Sequence, residues 1–305
     1  MIKSSLFNYD LPKSSINQIP YQNPLDSKLL IADSKKIIHF KDLAKHVDKD
    51  SLFIFNKSTV QKVRILTEKK SGGSIEIFII QKINEREAQC LLKSSDKKLM
   101  NKQYQTEIVN FKITDIDDGS FVCLFDKNID DLINNYGVLP LPPYIEDSPD
   151  KREFYNNEFS DQGFSVAAPT AGLHFTNKLI KELKNENIET AFVNLDVNID
   201  TFKPIKNINL NDHKIHKEYY FIEDIEFNKI LSYKNSNRSI YCIGTTTLRA
   251  IETAYLTGKL KGKTDLFILP DTKIKVPDYL ITNFHAPMSS LLSIVQNVYG
   301  DNWKE

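Results

Sequence analysis

"SIYCIGTTTLRAIETAYLTG", residues 239–258, is the stretch that decides the fold class. Ile240 to Ile243 is a short run of apolar, β-branched and aromatic residues with the composition of a buried strand, and it stops at Gly244. A threonine triplet follows, then a helical pattern that runs to Gly258, a residue type that closes helices in a left-handed conformation. Strand, small polar turn and helix in direct succession form the unit of an α/β layer. The neighbouring segments repeat it. "TNKLIKELKNEN" reads as a helix capped by Thr176, with Leu179, Ile180 and Leu183 on one face, and "TAFVNLDV" reads as the strand after it. "DLFILP" and "YLITNF" read as further strands, and "SSLLSIVQNVY" as a final helix.

Residues 51–125 have a different texture. Short apolar or alternating runs such as "SIEIFII", "AQCLL" and "FVCLF" are separated by polar turns, including Ser71-Gly72-Gly73, and read as a small sheet or barrel. The proline-rich connector "GVLPLPPYIEDSPD" leads back to the α/β pattern. The order therefore predicts an α/β domain interrupted by an all-β one. With 305 residues, 41% of them hydrophobic, the chain can bury a sizeable core and is nearer in length to two domains than to one. Forty basic residues balance forty acidic ones, so any nucleic-acid surface must be a local patch, with "KKSGG", "KSSDKK" and Lys259, Lys261 and Lys263 as candidates. Three cysteines without a C-x-x-C pair are a reduced pattern. No apolar run is long enough to span a bilayer and the N-terminus lacks a secretory signal, so a cytoplasmic location is expected.

Four loop segments carry candidate chemistry. "SVAAPTAGLHFT", residues 165–176, is too small and too punctuated for a regular helix or strand. Its Ala168, Pro169, Thr170, Ala171 and Gly172 allow close backbone approach to a ligand, and His174 titrates near neutrality; the alternative is a tight structural loop. "DHKIHKE" offers His213, His216 and Glu218. Imidazole and carboxylate suit a metal, but no third well-separated ligand is identifiable, which favours acid–base or substrate-gripping work without metal. In "GTTTLRAIE", Thr245, Thr246 and Thr247 at a helix start, with Arg249 and Glu252, can form an anion or hydroxyl site, unless Arg249 and Glu252 merely pair on the helix. "ITNFHAPMSSLL" adds Asn283 and His285 on the loop after a strand.

Together these segments resemble, in order, the signatures of the S-adenosylmethionine:tRNA ribosyltransferase-isomerase family of queuosine biosynthesis. "NYDLP", "SGGSIEIFI", "GVLPLPPYI" and "NVYG" extend the likeness over essentially the whole chain. The resemblance implies a distorted α/β barrel, residues 1–58 and 138–305, with a small β-barrel inserted at 59–137. It also implies a reaction: the ribosyl part of S-adenosylmethionine (AdoMet) is transferred to 7-aminomethyl-7-deazaguanine at the anticodon wobble position of tRNA, giving epoxyqueuosine and releasing adenine and methionine. AdoMet is then a co-substrate, and neither metal nor redox cofactor is required. The sulfonium acidifies the adjacent 5′ carbon, so a base can remove its proton and drive adenine out, with a proton donor for the purine. His174, His213, His216 and His285, with Glu218, form the titratable set. The same residues also fit a diverged AdoMet or nucleoside binder with another acceptor, or a binding protein without activity.

The chain departs from the family pattern in places. Where relatives read "TLHVGxGTFxPV", it has "NLDVNIDTFKPI", with Asp196 for the histidine and Asn198 and Asp200 for the glycines. Asparagine and aspartate tolerate a left-handed backbone best after glycine, which would preserve the turn. "FNDTRV" has become "FNKSTV", with Lys57 for the aspartate, "FYNNEFS" lacks the arginine and glutamine of its counterpart, and the chain stops five residues after Gly300.

Overall fold

The computed structural model describes residues 2–96, 102–117, 119–198 and 203–305. It divides into two compact units: Met1–Thr59 with Pro142–Glu305, and Val60–Leu141. The fold is mixed α/β.

The larger unit is built on a six-stranded sheet. Its strands are β1 (Leu52–Asn56), β2 (Glu189–Leu195), β3 (Glu218–Phe221), β4 (Ile240–Ile243), β5 (Lys261–Thr264) and β6 (Tyr279–Ile281), in the spatial order β5-β3-β2-β1-β4-β6. β2, β1, β4 and β6 are mutually parallel, while β3 and β5 join antiparallel at one side. All five residues of β1 are buried, as the central strand of a parallel sheet covered on both faces must be. Its side chains alternate between two cores. Leu52 and Ile54 pack with Leu248, Ile251 and Ala254 of helix α3 (Thr245–Thr257) and with Ile230 of helix α2 (Asp224–Asn235). Phe53 and Phe55 face Phe175 and the Leu179 and Leu183 of helix α1 (Asn177–Asn185). Thr176 caps α1 through the amide of Leu179, and Gly258 ends α3 at φ 67°, both as the sequence indicates.

"DLFILP" is a correction: it is not a strand, and the preceding Lys261–Thr264 takes the edge position. Its carbonyls serve side chains instead of a ladder. Leu266 accepts from Arg249 Nε, Ile268 from Ser293, and Leu269 from the Asn297 amide. Helix α4 (Leu291–Tyr299) supplies the last two donors.

The smaller unit holds a seven-stranded, wholly antiparallel sheet. Ile75, Ile77 and Ile79 of Ser74–Lys82 are buried at period two, with Cys90, Ile113 and Cys123 also in the interior. Among the described residues neither the mixed sheet of the larger unit nor the antiparallel sheet of the smaller one closes into a ring, so the expected barrels are not confirmed.

Candidate functional site

Parallel strands bring their carboxyl ends to one edge of a sheet, and the loops leaving that edge are where α/β proteins bind ligands. Here the edge carries Asn56 at the end of β1, Asp196 after β2, Gly244 and Thr245 after β4, and Thr282 and Asn283 after β6. Antiparallel β3 begins at the same edge, which puts Glu218 there as well.

Asn56 ties the edge together. Buried at its centre, it donates from Nδ2 to the Leu195 carbonyl (2.9 Å) and the Thr246 hydroxyl (3.3 Å), while Oδ1 accepts from the amides of Leu195 and Ser58. Residues 165–176 lie across this edge and contain a 3₁₀ turn, Thr170–His174. Thr170 donates to Asn283 Oδ1 at 3.2 Å, and the Asn283 amide nitrogen meets His174 Nε2 at 3.4 Å. His174 also stacks on Phe40, with ring centroids 4.6 Å apart, and burial holds its pKa below the ordinary histidine value. Gly244, the strand-to-helix hinge, sits at φ 91°, where a side chain would be strained; a Cβ there would lie 3.6 Å from Ala171. Gly172 differs from the sequence reading. Its open face is filled by the protein's own Asn157, whose amide would stand 2.9 Å from a Cβ, so this glycine serves internal packing and not ligand approach. Ala168, Pro169 and Ala171 are likewise buried.

At the other side, Arg249 reaches back from α3 to Glu218. Both side chains are almost fully buried (6% and 4% exposed) and form a direct ion pair. Glu218 Oε1 also accepts the Asn198 amide at 2.8 Å, and Arg249 Nε donates to the Leu266 carbonyl. Among the described residues Arg249 Nη2 is buried with no hydrogen-bond partner, and Arg249 lines a cavity of about 20 Å³ with His216, Glu218, Phe267 and Ser290. The cavity has room for about one water. Arg249 therefore does not pair with Glu252. That carboxylate is spent on the backbone amides of Lys275 and Val276, which removes Glu252 from the binding set.

The four imidazoles sit in different surroundings. His174 belongs with Asn283 and Thr170. His285 bonds Thr282 through Nε2 at 3.2 Å, its carbonyl accepts from Tyr9, and burial pushes its pKa down to about 4. His216 shares the Arg249 cavity, and His213 packs edge-on to Phe267 with centroids 5.5 Å apart. Among the described residues no group of three or more His, Cys, Asp or Glu is arranged to hold a metal ion. Thr245, Thr246 and Thr247 are all buried at the start of α3. Thr247 bonds back to the Ile243 carbonyl, so its hydroxyl is committed to the end of β4.

Two features escaped the sequence reading. One is Asn56, which lies in the quoted "FNKSTV" segment but is not singled out there. The other is a hydroxyl relay around Asp196: the Val197 amide donates to Ser165 Oγ, Ser165 to Ser58 Oγ (2.8 Å), and Ser58 to Asp196 Oδ1 (2.7 Å). The Phe164 amide adds a second bond to that oxygen. Burial raises the Asp196 pKa, against the pull of these two donors. The Asn198 amide donates to Glu218 Oε1. Asp200 lies outside the described residues. Lys57 is half-buried between Asp161 and Glu223. Of the basic runs, Lys69 is buried against Asp96 and contributes no surface charge, while Lys97 and Lys98 lie outside the described residues. Lys259, Lys261 and Lys263 are exposed. The larger cavity, about 710 Å³, belongs to the small unit and shares no lining residue with these loops. No helix among the described residues is long and apolar enough to cross a membrane.

The larger unit is an α/β layer whose parallel strands bring an amide–imidazole pair and a polar relay to one edge, beside an arginine buried on α3. The chain belongs to the queuosine biosynthesis protein family, whose model matches residues 4–304. It is 34% identical to the S-adenosylmethionine:tRNA ribosyltransferase-isomerase of Clostridioides difficile, covering 98% of this chain and 92% of that one. Its identity to the enzyme of the same name from Acetivibrio thermocellus is 35%, with the same coverage. With that from Vesicomyosocius okutanii it is 36%, covering 96% and 89%. The crystal structure of S-adenosylmethionine tRNA ribosyltransferase from Thermotoga maritima shares the fold, with a TM-score of 0.53 and 28% identity over 98% of this chain and 92% of that one.

Proposed function

We propose that this protein transfers and isomerises the ribosyl moiety of AdoMet onto 7-aminomethyl-7-deazaguanine in tRNA, giving epoxyqueuosine with loss of adenine and methionine. The observation that carries the reading is the convergence of residues 165–176, Arg249 with Glu218, and the Asn283 loop on one sheet edge, in a chain whose relatives carry that enzyme's name. AdoMet is the co-substrate and no metal takes part. The acceptor base is that of the anticodon wobble position, and the protein works in the cytoplasm.

Proton transfer begins with removal of a proton from the carbon beside the sulfonium. His174 suits this step: burial keeps its imidazole neutral at pH 7, and Asn283 fixes the ring. Adenine then leaves with the glycosidic electron pair and takes up a proton. On the β2 side Asp196 is held at the same strand edge by the Ser58 hydroxyl and the Phe164 amide. Arg249 and Glu218 act as a buried pair that fixes the Asn198 amide and the Leu266 carbonyl beside this edge. His216 shares this neighbourhood, and His213 and His285 hold its flanking segments.

The test is incubation of the purified protein with AdoMet and tRNA bearing the aminomethyl precursor base, following adenine and the modified nucleoside by mass spectrometry. Epoxyqueuosine and adenine in equal amounts are expected. Adenine without the nucleoside would overturn the acceptor assignment, and neither product would overturn the activity.

A further inference from the structure

Phe284 is the most exposed large apolar side chain in the described structure, at 88%, and it sits between two residues that are held inward. Asn283 is bonded to Thr170 and meets His174; His285 is bonded to Thr282 through its ring and to Tyr9 through its carbonyl. The loop that carries Phe284 is pinned further along. The Met288 amide donates to the Phe7 carbonyl, the Ile205 amide donates to the Met288 carbonyl (2.8 Å each), and Met288 occupies a left-handed φ of 61°. A non-glycine residue in that region marks a backbone held by its surroundings, a condition frequent beside ligand sites. A phenyl ring is thus presented to solvent on a fixed loop, one residue from the amide that orients His174. Exposing a Phe ring forgoes the hydrophobic stabilisation that burial would give, and a partner that covers it recovers that.

We propose that Phe284 is the stacking platform for the unpaired acceptor base of the RNA substrate, a role that rests on the function proposed above. Exposure decides between the two planar groups available. A small co-substrate is taken into a pocket that covers most of its surface, so its adenine would meet buried walls. A base swung out of an RNA loop arrives from solvent and needs a ring at the rim, and base–aromatic stacking is how proteins hold unpaired bases. The fixed loop lowers the ordering cost of that encounter.

The test compares Phe284→Ala, Phe284→Leu, Phe284→Tyr and Phe284→Trp with the parent protein for KM towards tRNA and towards AdoMet. An RNA-binding arm measures the affinity of a fluorescent anticodon stem-loop bearing the precursor base. Removal of one stacked base contact should weaken the RNA terms roughly 5- to 150-fold in Phe284→Ala. KM for AdoMet should stay within about twofold, a bound set by the absence of stacking to adenine. Tyr and Trp, which keep an aromatic face, should restore RNA affinity, while Leu, apolar but without that face, should not. The inference is overturned if KM for AdoMet rises instead, if Leu serves as well as Phe, or if the Ala variant binds RNA like the parent. Should the parent protein make no product, the proposed function fails, and the binding arm still decides the role of Phe284.

Discussion

Replacing Glu218 by Gln removes one charge from a pair that water hardly reaches. Arg249 would keep its guanidinium buried, with Nε on the Leu266 carbonyl and Nη2 already without a partner among the described residues. Removing one member of a buried pair costs about 3–5 kcal/mol, mainly because the remaining charge is left uncompensated. The amide oxygen of Gln can still accept from Asn198 and Arg249, which places the expected loss at the low end, about 3 kcal/mol. In a folded unit of this size each kcal/mol moves the melting temperature by roughly 2–4 °C, so a fall of roughly 6–12 °C is expected by circular dichroism. The double variant Glu218→Gln with Arg249→Met removes the stranded charge, keeps an acceptor for the Asn198 amide and fills the volume. It should regain more than half of the lost stability. A single variant that melts within about 2 °C of the parent, or a double variant whose losses simply add, would refute the reasoning that the pair is a mutually compensated buried unit.

Gly163 sits at φ 106°, and a Cβ there would lie 2.3 Å from Ser58 Oγ and 2.7 Å from Asp196 Oδ1. Gly163→Ala should therefore cost about 2 kcal/mol or more in urea unfolding, through strain and loss of the Ser58–Asp196 bond. Burial lowers the pKa of His285 from 6.5 to about 4. The unfolded chain thus binds the proton more readily, so this residue's contribution is complete above about pH 6.5 and is lost as pH falls through about 4. His285→Gln should flatten stability against pH within that window, measured by urea midpoints between those limits. Asn283→Ala deletes the groups that meet His174 and Thr170. It should lower kcat about 10- to 100-fold by loss of orientation while the melting temperature stays nearly unchanged, seen in steady-state kinetics beside a thermal melt.

Much of the site was legible because its residues lie in contiguous strand–loop–helix segments. Gly244 and the threonine triplet announce a strand end, and the Ser165–Thr176 composition excludes regular structure, so topology alone brings them to one edge. What the sequence hid depends on partners far along the chain. Arg249 has Glu252 three residues away, yet the fold offers it Glu218 from an antiparallel strand and gives Glu252 two backbone amides. Gly172 looked like space for a ligand until Asn157 filled it. "DLFILP" has strand composition, but side chains from α3 and α4 took its carbonyls, and no local pattern reports such competition. Asn56 is one asparagine in an apolar strand, recognisable as the tie between strand ends only when β2 and α3 lie beside it.

The central claim is that the carboxyl edge of the parallel strands is where AdoMet binds. Hydrogen exchange measured by mass spectrometry, with and without saturating AdoMet, tests it directly. Slower exchange is expected in residues 165–176, 244–249 and 282–286. Protection confined to the amino-terminal ends of the same strands, around Asp48, Arg238 and Asp278, or to the small unit, would contradict it.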